Sequence, residues 1–283
     1  MPLSRWSCPE LARELAARRQ LAVSVSSVRR WLAEDALKPW QHRSWISVRD
    51  PNFAAKAARV LDLGAPPACG GDAGFWDGQP LGPNDFVICA DEKTSIQARC
   101  RCHPTLPPGR ARAMRIEHEY ERKGALAYLA AWDVHRGQVI GRSEDTTGIE
   151  PFARLVEQVM TAEPYANASR DFWITDNGSS HRGQASIDRM RKAWPTAHLV
   201  HTPVHASWLD QCEIYFSVVQ RKVVAPNDFF DLDQIRARLA AFELRHNAIA
   251  TPFNWKFTRH DLDDLLRRID AHQNPTEDHP LAA

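Results

Sequence analysis

DFVICADE, residues 85–92, and DFWITDNGSS, residues 171–180, share one pattern: a short apolar run that stops at an aspartate. Residues 86–90 and 172–175 are too short for helices and apolar throughout, so each predicts a strand buried in a sheet. The C-terminal ends of such strands form a rim where polar groups meet a ligand. Asp91 and Asp176 fall side by side on that rim if the two strands are neighbours.

The surrounding segments extend the sheet. ALAYLAAWDVHRGQVIGR, residues 125–142, predicts two strands joined by a turn at His135-Arg136-Gly137. An amphipathic helix follows over 149–162, another helix over 183–193, and a short strand in AHLVHTP, residues 197–203. A hairpin that gives way to alternating helices and strands predicts a mixed α/β sheet flanked by helices. HTPVHASWLDQCEIYFSVVQRK, residues 201–222, then predicts a helix from Ser207, with Trp208, Cys212, Tyr215, Phe216, Val219 and Val223 in one apolar stripe. Glu213 falls roughly 110° from the centre of that stripe. A carboxylate at the edge of a buried face fits a helix that packs across the sheet and delivers one charge to the rim.

The first fifty residues predict two helices with a tight connection. Ser7 and Pro9 mark the first start, and a break at residues 20–22 precedes a second helix near Ser24. Val25, Val28, Trp31 and Leu32 face inward in that reading, leaving Ser26, Ser27, Arg29 and Arg30 outward at the helix start. A helix-turn-helix reader presents such side chains to base edges and phosphates; an ordinary helical hairpin has the same pattern. Residues 64–84 are rich in Gly, Pro and Asp and read as a linker or loop. The domain reading is a helix-turn-helix module over 1–50, a linker over 51–84, a catalytic α/β domain over 85–225 and a helical tail over 226–283.

The 283-residue composition is that of a globular protein, 43% apolar and 25% charged. No secretory leader or membrane-spanning run is read, so the expectation is a cytoplasmic protein without a membrane partner. Six scattered cysteines include no C-x-x-C pair and predict reduced thiols. Cys100-Arg-Cys102-His103 imitates a zinc knuckle, but no second ligand pair follows at zinc spacing. The net charge of +1 is uneven: residues 1–50 carry nine Lys and Arg against five Asp and Glu, and residues 99–123 carry seven against three. Two basic segments on a neutral chain suit a polyanion.

Asp91, Asp176 and Glu213 cannot all stay ionised at close quarters without a counter-charge. Hard divalent cations supply it to oxygen-only ligands. Each residue also has a plainer reading. Asp176-Asn177-Gly178 is a turn signal, Asp91 fits a cap, and Glu213 fits a surface pair with Arg221 or Lys222. Glu92 is an equal candidate ligand. His181 and His205 are auxiliary candidates as ligands or phosphate contacts, and His201 reads as a core histidine. Ser179 and Ser180 lack the glycine pattern of a nucleophile elbow, so a serine hydrolase is rejected.

Four ordered blocks, residues 89–99, 118–141, 174–183 and 201–222, together with PFNWKFTRHDLDDLLRRIDAH near the end, resemble the mariner-like bacterial insertion-sequence transposases. The resemblance implies an RNase H-like core that cuts DNA at element ends and joins it to a target. It implies Mg²⁺, with Mn²⁺ as substitute, as two ions held by the triad Asp91, Asp176 and Glu213. The triad's intervals are 85 and 37 residues, and the short second interval is similar to the family's. The implied partners are double-stranded DNA, as terminal inverted repeats and target, and a second copy of the chain on paired ends. Lys93, Arg99, Arg110, Arg112 and Arg115 are then candidate phosphate contacts, and the protein would associate with the bacterial nucleoid. Two features depart from the pattern: Asp210 stands where the family usually has Asn, and the chain begins at what resembles the second half of a paired helix-turn-helix region. A catalytically silent DNA-binding regulator and a nuclease that never joins strands are the rival readings.

Overall fold

The computed structural model describes residues 5–35, 38, 48–65, 74–110 and 113–273. The chain divides into two compact units, Met1–Val48 with Leu266–Ala283, and Arg49–Leu265.

In the smaller unit, α1 (Cys8–Arg19) starts on a capping box, Ser7 with Glu10, and ends at Gln20 in the left-handed conformation. The second helix, α2 (Val25–Glu34), starts on the Ser24 cap. Cys8, Ala12 and Val28 form the core between them, with Leu11, Leu15, Val23 and Leu32 against it. Val28 and Leu32 therefore face inward as expected. Val25 and Trp31 do not and are exposed. Two short helices bury only a narrow stripe, and these two residues lie outside it.

The larger unit opens with α3 (Phe53–Leu63), inside the stretch expected to be a linker. Phe53, Ala57, Val60, Leu61 and Leu63 are buried, so its apolar periodicity is a packing face. A small hairpin follows, β1 (Phe75–Trp76) with β2 (Gln79–Pro80). The main sheet is built from β3 (Asp85–Arg101), β4 (Tyr120–Asp133), β5 (Val139–Glu144), β6 (Arg170–Thr175) and β7 (Ala197–His201). Its order is β5-β4-β3-β6-β7. The first three strands form an antiparallel meander, and β6 and β7 add in parallel. Parallel pairing needs crossovers, supplied by α4 (Ile149–Met160) and α5 (Gly183–Ala193). This is the RNase H-like mixed sheet expected from the sequence.

Both faces are covered. One carries Ile88, Ala90, Leu129, Ala131 and Trp173 against Phe152, Leu155, Val156 and Val159 of α4 and Met190 of α5. On the other, α6 (Cys212–Val219) packs through Cys212, whose Sγ lies 3.4 Å from the carbonyl of Ala130, and Tyr215, 3.1 Å from Tyr128 between hydroxyls. The helix expected from Ser207 is interrupted: residues 207–209 form a 3₁₀ turn, and α6 begins only at Cys212. After α6 the chain widens into a π turn at Gln220–Val224, then forms α7 (Leu232–Asn247) and α8 (Arg259–Gln273). Among the described residues no helix is long and apolar enough to cross a membrane.

Candidate active site

Strand β3 does not end at Asp91 as its apolar run suggested; it continues to Arg101 against β4. What ends near Asp91 is the parallel ladder with β6, whose last pair is Cys89 with Ile174. Beyond Thr175 the chain leaves the sheet, so Asp91 borders the gap that Asp176 enters. Side chains alternate along a strand. Asp91 shares the face of Cys89 and lies on the α6 side, whereas Glu92 shares the face of Ile88 and Ala90, on the side of α4 and α5. Asp176, one residue past β6, continues the parity of Ile174. Glu213 is exposed in the first turn of α6, where the helix N-terminus favours a carboxylate.

The electrostatics of this face are those of excess negative charge. The Asp91 carboxyl is pushed up to about 7, chiefly by burial and also by the charges of Asp176, Glu213 and Glu92, against one opposing hydrogen bond from the N–H of Glu92 at 2.7 Å. Asp176 is held below its ordinary value, first by His181, whose Nε2 lies 2.6 Å from Oδ1, and also by the N–H of Gly178, 2.6 Å from the same oxygen. Asp210 is fully buried beneath them, and burial and the Asp91 charge push its carboxyl well up. Oxygen donors carrying surplus charge suit a hard divalent cation. Among the described residues, no three His, Cys, Asp or Glu side chains converge tightly enough to hold a metal ion as they stand.

The remaining candidates divide. His181 is buried and touches Asp176, and Glu92 accepts from Ser180 Oγ at 2.6 Å. His205 is exposed at φ +65°, and His201 Nε2 bonds the His181 carbonyl at 2.5 Å. Lys93 lines a polar cleft with Arg99 and Arg101 at the foot of the β3 bulge, about 110 Å³ in volume. Arg99 lies 4.7 Å over the Tyr120 ring, while Arg101 is tied to Asp228 at 2.7 Å and to the Pro226 carbonyl at 2.9 Å. Arg110 and Arg115 are exposed on the β3–β4 connection; Arg112 lies outside the described residues. In α2, Ser26, Arg29 and Arg30 are exposed, whereas the Ser27 N–H and hydroxyl both meet Ser24 Oγ, at 3.0 and 2.9 Å. Cys102 and His103 are exposed, and His103 pairs with Glu117.

Ser180 touches two of the candidates, Glu92 and His181, and was not among the residues the sequence singled out for the site. Its hydroxyl is buried and donates to Glu92. Its position beside His181 was the available signal, but the partner lies 88 residues away on another strand.

The sequence model for the family described as DDE superfamily endonuclease matches residues 86–236. Among solved structures, the pre-cleavage Mos1 transpososome is similar at 13% identity, over 95% of this chain and 80% of that chain, with a TM-score of 0.49. The Mos1 mariner paired end complex with Mn is similar at 14% identity, over 95% and 78%, with a TM-score of 0.46. The catalytic domain of Mos1 mariner transposase is similar at 11% identity, over 65% and 81%, with a TM-score of 0.40. No curated protein matches.

Proposed function

The chain belongs to the DDE superfamily endonucleases, and from that premise we propose that it is a transposase that cleaves insertion-sequence ends and transfers the freed 3′-hydroxyl to target DNA. The observation that carries the reading is the shared face of Asp91, Asp176 and Glu213, with the charge repulsion it imposes on Asp91. These three carboxylates would hold Mg²⁺ or Mn²⁺, and two such ions, when bound, neutralise phosphoryl charge and lower the pKa of the attacking oxygen.

The protein's own part is placement. Asp91 sits on a strand paired on both sides up to the preceding residues, and Asp176 is tied through one oxygen to Gly178 and His181. Rigid carboxylates spare the reaction the reorganisation of its ligands. Lys93 and Arg99 would contact phosphates in the adjoining cleft, with Arg110, Arg112 and Arg115 along the β3–β4 connection. Ser26, Arg29 and Arg30 would meet duplex DNA from α2. Terminal inverted repeats and target DNA are the substrates in this reading, with two copies acting on paired ends.

The rival reading is a catalytically silent regulator that binds DNA. Strand transfer separates the two. Pre-cut ends taken from DNA flanking the chain's own coding sequence are incubated with Mn²⁺ and a plasmid target. Joined products support the transposase; tight binding of the ends with neither nicking nor joining supports the regulator; nicking alone indicates a simple nuclease. A crystal soaked in Mn²⁺, with anomalous density on at least two of the three carboxylates, checks the metal independently.

A further inference from the structure

We propose that Glu92, Ser180 and His181 form a fixed chain that sets the orientation of Asp176, making His181 a positioning residue and Glu92 its anchor rather than a metal ligand. The proposal rests on the reading of Asp176 as a metal ligand.

The strand parity places Glu92 on the opposite face of β3 from Asp91, so the two neighbours serve different sides of the sheet. The Glu92 side chain is only 11% exposed, and a buried carboxylate needs donors. It receives the Ser180 hydroxyl at 2.6 Å. That donation leaves the Ser180 lone pairs facing Nδ1 of His181, 2.9 Å away. The other ring nitrogen, Nε2, faces Oδ1 of Asp176 at 2.6 Å. Both nitrogens of one imidazole are thus committed to oxygen atoms, one leading to Glu92 and one to Asp176.

The surroundings fix the ring independently of these bonds. His181 is 1% exposed, with its ring 4.9 Å from Phe152 of α4. Its carbonyl accepts from Ser186 Oγ at 2.6 Å and lies 2.5 Å from His201 Nε2, and Arg189 holds the Ser180 carbonyl at 3.0 Å. Gly178 completes the arrangement. A Cβ there would stand 2.9 Å from Asp176 Oδ1 and 3.0 Å from His181 Nε2, so a larger residue at this point would push on the two side chains whose contact it adjoins. Oδ1 of Asp176 is engaged by both Gly178 and His181, and among the described residues Oδ2 has no hydrogen-bond partner. One oxygen is used for orientation and the other is left for an external cation. Partners that orient a ligand in this way typically change metal affinity by about 10–100-fold when removed.

The test is Mn²⁺ affinity of the full chain without DNA, by titration calorimetry, for the wild type and four variants. His181→Ala and the paired change Glu92→Leu with Ser180→Ala should weaken Mn²⁺ binding about tenfold or more. The paired change removes the Glu92 acceptor together with its Ser180 donor but leaves the buried Nδ1 of His181 without its oxygen, so a thermal melt of each variant accompanies the titration to show that the chain is folded. Glu92→Gln keeps an acceptor for Ser180 and should stay within about threefold of wild type, a rescue that a directly ligating Glu92 would not show. Asp176→Asn is the reference for losing the ligand itself. Wild-type affinity in His181→Ala and in the paired variant, with Asp176→Asn impaired, overturns the positioning chain and leaves the metal reading standing. A tenfold loss in Glu92→Gln also overturns it, by making Glu92 a ligand. A wild type that binds no Mn²⁺ at millimolar concentration overturns the metal reading, and the proposal with it.

Discussion

Asp210 Oδ1 accepts the backbone N–H of Cys212 at 2.8 Å, holding the turn that launches α6, while its Oδ2 is buried with no hydrogen-bond partner. A carboxyl in that position resists ionisation, and burial followed by the charge of Asp91 keeps its pKa well above the usual carboxylate range. A folded pKa above the unfolded one contributes stability below about pH 4 that is lost as pH rises toward the folded value. Asp210→Asn keeps the acceptor and removes the titration. The variant should therefore match wild type near pH 4 and be more stable at pH 8, with the gap opening by up to about 1.4 kcal/mol per pH unit. Thermal melts at pH 5 and pH 8 check this; a constant offset would mean that Asp210 does not titrate with folding.

Asp91→Asn, Asp176→Asn and Glu213→Gln should each abolish metal-dependent cleavage, by at least about 10³-fold if several kcal/mol of charge stabilisation is lost. Their effects on the fold should differ. Asp91→Asn relieves a carboxyl raised first by burial and should not lower the melting temperature, whereas Asp176→Asn gives up a charge-assisted bond to His181 and should lower it. Cleavage of end-bearing DNA beside thermal melts separates the two effects. Retained cleavage in any of the three removes that residue from the triad.

Arg29→Ala and Arg30→Ala should weaken binding to end DNA and reduce the slope of log Kd against log salt by about one for each phosphate contact removed. Ser27→Ala acts differently. Ser27 stands at the α2 cap with Ser24, so its loss should be seen in helix stability more than in salt dependence. Fluorescence anisotropy over a salt series measures both quantities.

Much of this arrangement was legible because strands buried on two faces leave continuous apolar runs, as residues 86–90 and 172–175 do. The limits of those elements were less so. Beyond Asp91 the strand reads Lys93-Thr94-Ser95, which is polar and interrupted by a bulge, yet β4 supplies its hydrogen bonds as far as Arg101. Helix α3 carries a clear apolar periodicity, but the Gly- and Pro-rich stretch that follows it suggested a linker. The split between Asp91 and Glu92 follows from strand parity alone. The link from Glu92 to Ser180 needs the parallel pairing of β3 with β6, a contact between distant segments that no local pattern records. Trp31 shows the converse: a good inward position on a helical wheel stays exposed because it lies outside the narrow stripe that α1 and α2 bury between them.

Two glycines with similar backbone angles test how the β4–β5 turn is held. Gly137 has φ +67° and Gly78 has φ +78°. At Gly78 a Cβ would meet nothing within 4 Å, so Gly78→Ala carries only the left-handed penalty, about 1–2 kcal/mol. At Gly137 the same atom would stand 2.2 Å from the carbonyl carbon of Thr251 and 2.5 Å from the nitrogen of Pro252, both backbone atoms that cannot rotate away. The turn is also fastened elsewhere. The Gly137 N–H donates to the Asp133 carbonyl at 2.8 Å, and the Gly137 carbonyl lies 3.1 Å from His246 Nε2. Gly137→Ala must therefore displace the segment that seats Phe253 on Trp132, stacked at 4.1 Å. Its cost should exceed that of Gly78→Ala by about 2 kcal/mol or more, in the range of an overpacked core. Urea unfolding of both variants measures the difference; equal midpoints would mean that the 251–252 segment moves aside freely and contributes little to holding the edge of the sheet.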